Sequence, residues 1–113
     1  MVTAYTVRRR FEKFNRLYWD SRLVLPRIVI IPAGQRGEIL NGCDWGGVRT
    51  GEGKPTLMEI RAIAWEVDHR MLDSTLLHEM IHLEIGTDKA HGSREWNAAV
   101  RRLSAKGALK EVL

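Results

Sequence analysis

The sequence predicts an α+β domain on three observations. Near the start, Val7, Phe11, Phe14 and Tyr18 recur at intervals of four, three and four, which is one face of a helix. In the middle lie the β-branched run "RIVII" (Arg27 to Ile31) and the alternating run "LMEIRAI", both strand-like. The last third carries two helical patterns. Helix, then strands, then helices is the order of an α+β domain rather than of an alternating α/β one. The 113 residues suit one domain, 1–113. A chain of that size buries roughly two thirds of its unfolded surface.

The first helix is expected from Thr6 to Trp19. Arg8, Arg9, Arg10, Lys13 and Arg16 fall largely off its apolar face. Pro26 ends any continuation, because proline disfavours helical geometry in the residue before it. Arg27 to Ile31 then reads as a buried strand, with Pro32, Gly34 and Gly37 at its exit. "NGCDWGGVRTGEGKPTLMEIRAI" reads as a β-hairpin with arms Trp45 to Arg49 and Thr56 to Ile63 and the turn "TGEGKP" between them. In the second arm Met58, Ile60 and Ala62 alternate with Glu59 and Arg61, which are expected to face solvent.

Asp68 or Asp73 is expected to cap the next helix, since a carboxylate there accepts the unpaired N–H groups of the first turn. That helix carries Leu72, Leu76, Met80 and Leu83, with Leu77 and Ile81 beside them. Gly86 suits the position just past its end, where the left-handed conformation is wanted. After a loop from Thr87 to Lys89, a last helix starts near His91 to Ser93. Its apolar face is Trp96, Ala99, Val100 and Leu103. The expected architecture is thus an N-terminal helix, a small antiparallel or mixed sheet with a hairpin, and two closing helices.

Composition excludes several classes. Cys43 is the single cysteine, so neither an intrachain disulfide nor a multi-cysteine zinc site is available. Any metal must be held by histidines and carboxylates. No run approaches the ~18 apolar residues of a membrane span. "MVTAYTVRRRFEKF" lacks the apolar block and cleavage site of a signal peptide, so a cytoplasmic monomer is expected. The net charge of +4 permits a nucleic-acid partner without demanding one.

The most informative stretch is "LLHEMIHLEIGTDKAHG", Leu76 to Gly92. His78 and His82 are four residues apart, so their imidazoles leave the same helical face and can converge on one ion. Glu79 sits about 100° around the helix from His78. From there it can face a water on the metal rather than bind the metal. This is the H-E-x-x-H pattern of zincin metallopeptidases, in which zinc activates a water and the glutamate takes its proton. A catalytic zinc needs three protein ligands and an open position. His91 follows a Gly-containing turn at a helix start, where the chain can reverse, and is the favoured third ligand. Asp88 stands six after His82, where metzincins place theirs. Glu84, Glu95 and Glu111 are further candidates. Glu84 should point away from the site while the helix persists, and Glu95 suits the first turn of a helix on dipole grounds.

With these residues in view, the chain resembles the SprT-like family, which includes the Spartan-type DNA–protein crosslink proteases. "FEKFNRLYW" with "LVLPRIVI" is similar to the family's opening helix and first strand. "GGVRTG" followed by "LMEIRAI" resembles its hairpin, and "LLHEMIHLEIG" followed by "HG" resembles its most distinctive segment. The resemblance implies a zincin-like fold, a Zn²⁺ cofactor held by His78, His82 and His91, and Glu79 as the catalytic base. It also implies peptide-bond hydrolysis on DNA-associated or DNA-crosslinked proteins. Family members usually carry an aromatic residue four positions after the third histidine. Here that position is Glu95 and the aromatic is Trp96, which implies a slipped helix start. The single cysteine and the end at Leu113 lead us to expect a minimal catalytic domain without the zinc ribbon of longer members.

The remaining residues have simpler readings. His69 is expected at the surface, and Trp45, Trp65 and Trp96 in the core, with Trp45 the one set in a turn-rich context. Arg8, Arg9, Arg10, Lys13 and Arg16 form a solvated helix face that can also contact phosphates. With Trp45 they are the candidate contacts to single-stranded DNA, without sequence preference. The competing reading is a basic nucleic-acid-binding module with a structural zinc and no peptidase activity. A metal-dependent hydrolase of a non-peptide bond is a third. Glu79 separates the enzymes from the structural site, because a structural zinc has no use for a general base.

Overall fold

The structure is a computed structural model that describes residues 3–42, 44–51, 53, 55–62 and 69–108. In chain order the described elements are helix α1 (Ala4–Tyr18), strands β1 (Arg27–Ile31), β2 (Gly46–Arg49) and β3 (Leu57–Arg61), and helices α2 (His69–Ile85) and α3 (Arg94–Ala105). This is the α+β order read from the sequence. Cys43, Ile63, Trp65, Asp68 and Glu111 lie outside the described residues.

The three strands form one mixed sheet in the order β1-β3-β2. β2 and β3 are the expected antiparallel hairpin, with Val48 opposite Met58 and Gly46 opposite Ile60. β1 runs parallel to β3, with Ile28 opposite Met58 and Ile30 opposite Ile60. β3 is therefore central, and all five of its residues are buried.

Helix α1 is capped by Thr3, whose side chain accepts the Thr6 N–H at 3.3 Å. It closes at Trp19, whose N–H reaches Asn15 O. Asn15 then clamps the exit loop, donating to Leu23 O at 2.9 Å and accepting from Leu23 N at 3.1 Å. All three helices contribute to one core. Val7, Phe11, Phe14 and Trp19 meet Met58 and Ile60 from the sheet, Leu72, Leu76, Leu77, Met80 and Ile81 from α2, and Ala99 and Leu103 from α3. Each large side chain buried in this way stabilises the fold by roughly 1.5–3 kcal/mol.

The opposite face of the sheet corrects an expectation. Glu59 and Arg61 were expected to face solvent, yet each is only 2% exposed. Residues 32–42 and 44–45 cross that face as a strap that is bonded to both. The Glu59 carboxylate accepts the N–H groups of Glu38 (2.8 Å), Ile39 (2.8 Å) and Leu40 (2.9 Å). The Arg61 guanidinium donates to Asp44 O (2.9 Å) and Pro32 O (2.9 Å), and also to Gln35 O and Asn41 O. Gly37 lies so close that a Cβ there would overlap the Glu59 carboxylate. Alternation in a strand distinguishes two faces but cannot say that both are covered.

Asp73 does not cap α2. It lies inside the helix and pairs with Arg10 of α1 at 2.8 Å. The stop at Gly86 is as expected: its φ is 96° and its N–H reaches His82 O at 2.8 Å.

Glu59→Ala strips the acceptor from three strap N–H groups. At roughly 1–3 kcal/mol for each buried group left unpaired, the variant should lose about 3 kcal/mol or more of unfolding free energy. Glu59→Gln keeps one acceptor oxygen and should fall between. Urea denaturation checks this, and an unchanged midpoint for Glu59→Ala would mean that the strap is held by something else.

Candidate metal centre

Helix α2 buries a wide apolar face, from Leu72 through Leu76, Leu77 and Met80 to Ile81, each no more than 1% exposed. The remaining strip carries His78, Glu79 and His82. The helix is locked by its core contacts, so these three side chains leave a rigid support. His91 comes from the loop before α3. That loop is shaped by Gly86 and Gly92, which has φ 82°, and ends at Ser93, the N-cap of α3.

The three imidazoles converge. Ring centroids are 5.0 Å apart for His78–His82, 4.6 Å for His78–His91 and 5.0 Å for His82–His91. Each ring offers a nitrogen, and these atoms lie within 4.8 Å of one another. His82 Nε2 and His91 Nε2 are 2.9 Å apart. Two nitrogens on one tetrahedral zinc are roughly 3.3–3.4 Å apart, given Zn–N bonds of about 2.0–2.1 Å. The donor set therefore fits a zinc ion with small ring shifts. Burial, then the charges of His82 and His91, lowers the His78 pKa to about 4. Burial, then His91, lowers that of His82. Both rings are thus held neutral near pH 7, the form that binds a cation.

Glu79 is 6% exposed beside this cluster. Burial, with the Asp44 charge second, pushes its carboxyl up to about 7. Gly46, the first residue of β2, packs directly against it. A Cβ on Gly46 would stand 2.7 Å from Thr75 Cγ2 and 3.4 Å from Glu79 Cγ. Only a residue without a side chain lets the strand approach α2 this closely.

The other candidate ligands lie elsewhere. Asp88 has a 79% exposed side chain and sits 3.9 Å from Lys89 Nζ. Glu95 is exposed in the first turn of α3. Glu84 points away, accepting from Trp19 Nε1 and from both terminal nitrogens of Arg102. Its pKa is lowered: burial alone would raise it, and the bonds from Arg102 and Trp19 with the charges of Arg102 and Arg22 outweigh that. Trp96 is half-buried and packs on all three imidazoles, although its spacing assigned it to the helix core. A tryptophan soon after the third histidine was the available signal. Asp44 and Gly46 carried no comparable signal, because the strap brings them to α2 from far along the chain.

The basic residues of α1 divide between two sides. Arg9, Arg10, Lys13 and Arg16, with Thr6 and Glu12, line a groove of about 580 Å³. Arg8 turns toward Tyr5, with its guanidinium 5.6 Å from the ring centroid, and lines another depression with Leu25, Pro26 and Arg27. Arg10 is tied to Asp73. Trp45, expected in the core, is instead 40% exposed, as its turn-rich setting allowed. Among the described residues no helix is long and apolar enough to cross a membrane.

Zinc content separates the candidate ligands. The purified chain should bind about one equivalent, and His91→Ala should lose it while Asp88→Ala keeps it, as elemental analysis would show. The reverse pattern would move the third ligand to Asp88.

Compared with protein-family models, with curated proteins and with solved structures, the chain matches none.

Proposed function

We propose that the chain is a zinc-dependent metallopeptidase of SprT-like type. The observation that carries the reading is the convergence of three imidazoles beside a buried glutamate that stands outside their group. A structural zinc site is usually closed by four protein ligands. Among the described residues this group has three.

When bound, zinc supplies Lewis acidity, activating a water and polarising a carbonyl. His78, His82 and His91 would hold the ion. Glu79 takes the proton from the attacking water and returns it to the leaving amine. A carboxyl whose pKa lies close to neutral can do both. A dication held by the three histidines would favour its ionised form, which is the form needed first. Among the described residues β2 has one strand neighbour, and it begins against Glu79. An extended peptide adding to that edge would pass the glutamate, and this supports a peptide over a compact small-molecule substrate.

Glu79→Gln is the decisive variant. It should retain zinc and lose at least ~10²-fold in peptide hydrolysis, the usual scale for a positioned general base. Undiminished cleavage by the zinc-loaded variant would remove the peptidase reading and leave the structural-zinc alternative.

DNA is proposed as a partner on a separate observation. Arg9, Lys13 and Arg16 are exposed, follow one helical stripe and form no ion pair among the described residues. Contact with phosphates there would be indifferent to sequence and steeply salt-dependent, since each neutralised phosphate releases a counterion. Replacing the three by Ala should flatten the slope of log affinity against log salt by about two to three units, with the fold intact. Absence of binding by the wild-type chain at low salt would remove DNA as a partner.

A further inference from the structure

We infer that Trp96 is a positioning residue for the metal centre: its indole forms a wall shared by all three imidazoles and makes the triad hold a divalent cation more tightly. This rests on the reading of His78, His82 and His91 as a metal site.

The indole centroid lies 4.8 Å from His78, 5.0 Å from His82 and 4.6 Å from His91. The ring planes meet at 62°, 43° and 55°, so none of the three pairs is a face-to-face sandwich. Tilted and edge-on contacts are those that aromatic quadrupoles favour. One side chain therefore touches ligands from two separate pieces of chain, helix α2 and the loop before α3.

Trp96 is itself held in place. Its backbone N–H is accepted by Ser93 Oγ at 3.2 Å, the N-cap bond of α3. Asn97, the next residue, donates from Nδ2 to Gly92 O at 3.1 Å. The turn carrying His91 and the first turn of α3 carrying Trp96 are thus built as one unit.

The second observation concerns His82. A metal-bound histidine almost always donates its other ring N–H to a carboxylate, a carbonyl or a water, which fixes the ring. His82 Nε2 faces His91, and its Nδ1 is buried with no hydrogen-bond partner among the described residues. Among the described residues no acceptor orients this ring, and packing against Trp96 constrains it. An imidazole bound to a dication is also polarised toward positive charge. An adjacent indole stabilises that loaded form more than the empty one, as it does other cations.

Chelator competition for Zn²⁺ tests this on the wild type, Trp96→Leu and Trp96→Phe, alongside the thermal midpoint of each metal-free chain. Trp96→Leu should weaken zinc binding roughly 10- to 100-fold, the range for partners that orient ligands. Trp96→Phe keeps an aromatic ring and should recover most of the affinity. A folded Trp96→Leu chain that binds zinc as tightly as the wild type would overturn the inference, whatever its thermal midpoint. Co²⁺ titration of the wild type provides a test that needs no leucine variant. Tryptophan emission should be quenched in step with the visible Co²⁺ bands, and much of that quenching should be missing in Trp96→Phe. Equal quenching in the two chains would overturn it. A wild-type chain that binds neither ion fails the metal-site reading itself, which is a different result from a tight site indifferent to Trp96.

Discussion

Strand β3 is the constraint on which the rest of the structure depends. Both of its edges are paired and both of its faces are covered. Met58 and Ile60 point into the core, where each is fully buried. Glu59 and Arg61 point the other way and are buried beneath the strap. Burying a charge is costly unless its hydrogen-bonding capacity is met. Here backbone groups of one segment meet both charges, N–H groups at Glu59 and carbonyls at Arg61. The strap in turn has modest apolar anchorage, chiefly Leu40. Charge and strap need one another, and together they set where β2 begins. Because Gly46 packs close beside Glu79, the charged pair on one side of the sheet helps to place the start of β2 against that glutamate on the other.

The three-histidine group that could hold a metal is assembled from parts of unequal rigidity. His78 and His82 share one helix whose apolar face leaves it no freedom to rotate. Glu84, further along the same helix, ties α2 to Trp19 at the end of α1 and to Arg102 of α3. His91 lacks such support from its own backbone, because it lies in a loop and is exposed. The first turn of α3 supplies it through Ser93, Trp96 and Asn97. A site built in this way has most of its geometry in place before any ion arrives, which lowers the ordering cost of binding.

The α1 surface shows how weakly a run of basic residues specifies a surface. Consecutive residues on a helix are about 100° apart, so Arg8, Arg9 and Arg10 cannot share one face. Arg8 turns to Tyr5, Arg10 to Asp73, and Arg9 lines the groove with Lys13 and Arg16 while its guanidinium also approaches Tyr5. The stripe that remains is defined by the spacing of four and three rather than by the triplet.

Local chemistry was legible in the chain and long-range closure was not. The α1 face, the "RIVII" strand, the hairpin and the Gly86 stop each depend on neighbouring residues, through periodicity or a single backbone conformation, and each stands where the pattern put it, although the "RIVII" strand, read as buried, buries only Ile31. His78, Glu79 and His82 were readable for the same reason, since helical spacing alone brings them to one side. Glu59 and Arg61 were misread because an alternating strand carries no record of what lies over its second face. Of the two cap candidates, Asp68 lies outside the described residues and Asp73 lies inside the helix, bonded to Arg10, a partner 63 residues away that local pattern could not show. Only the tertiary structure brought Trp96 against all three imidazoles, Gly46 against Glu79 and the strap across the sheet. Each of these contacts joins segments distant in the chain, and their meeting is decided by how the helices and the sheet pack rather than by any local preference.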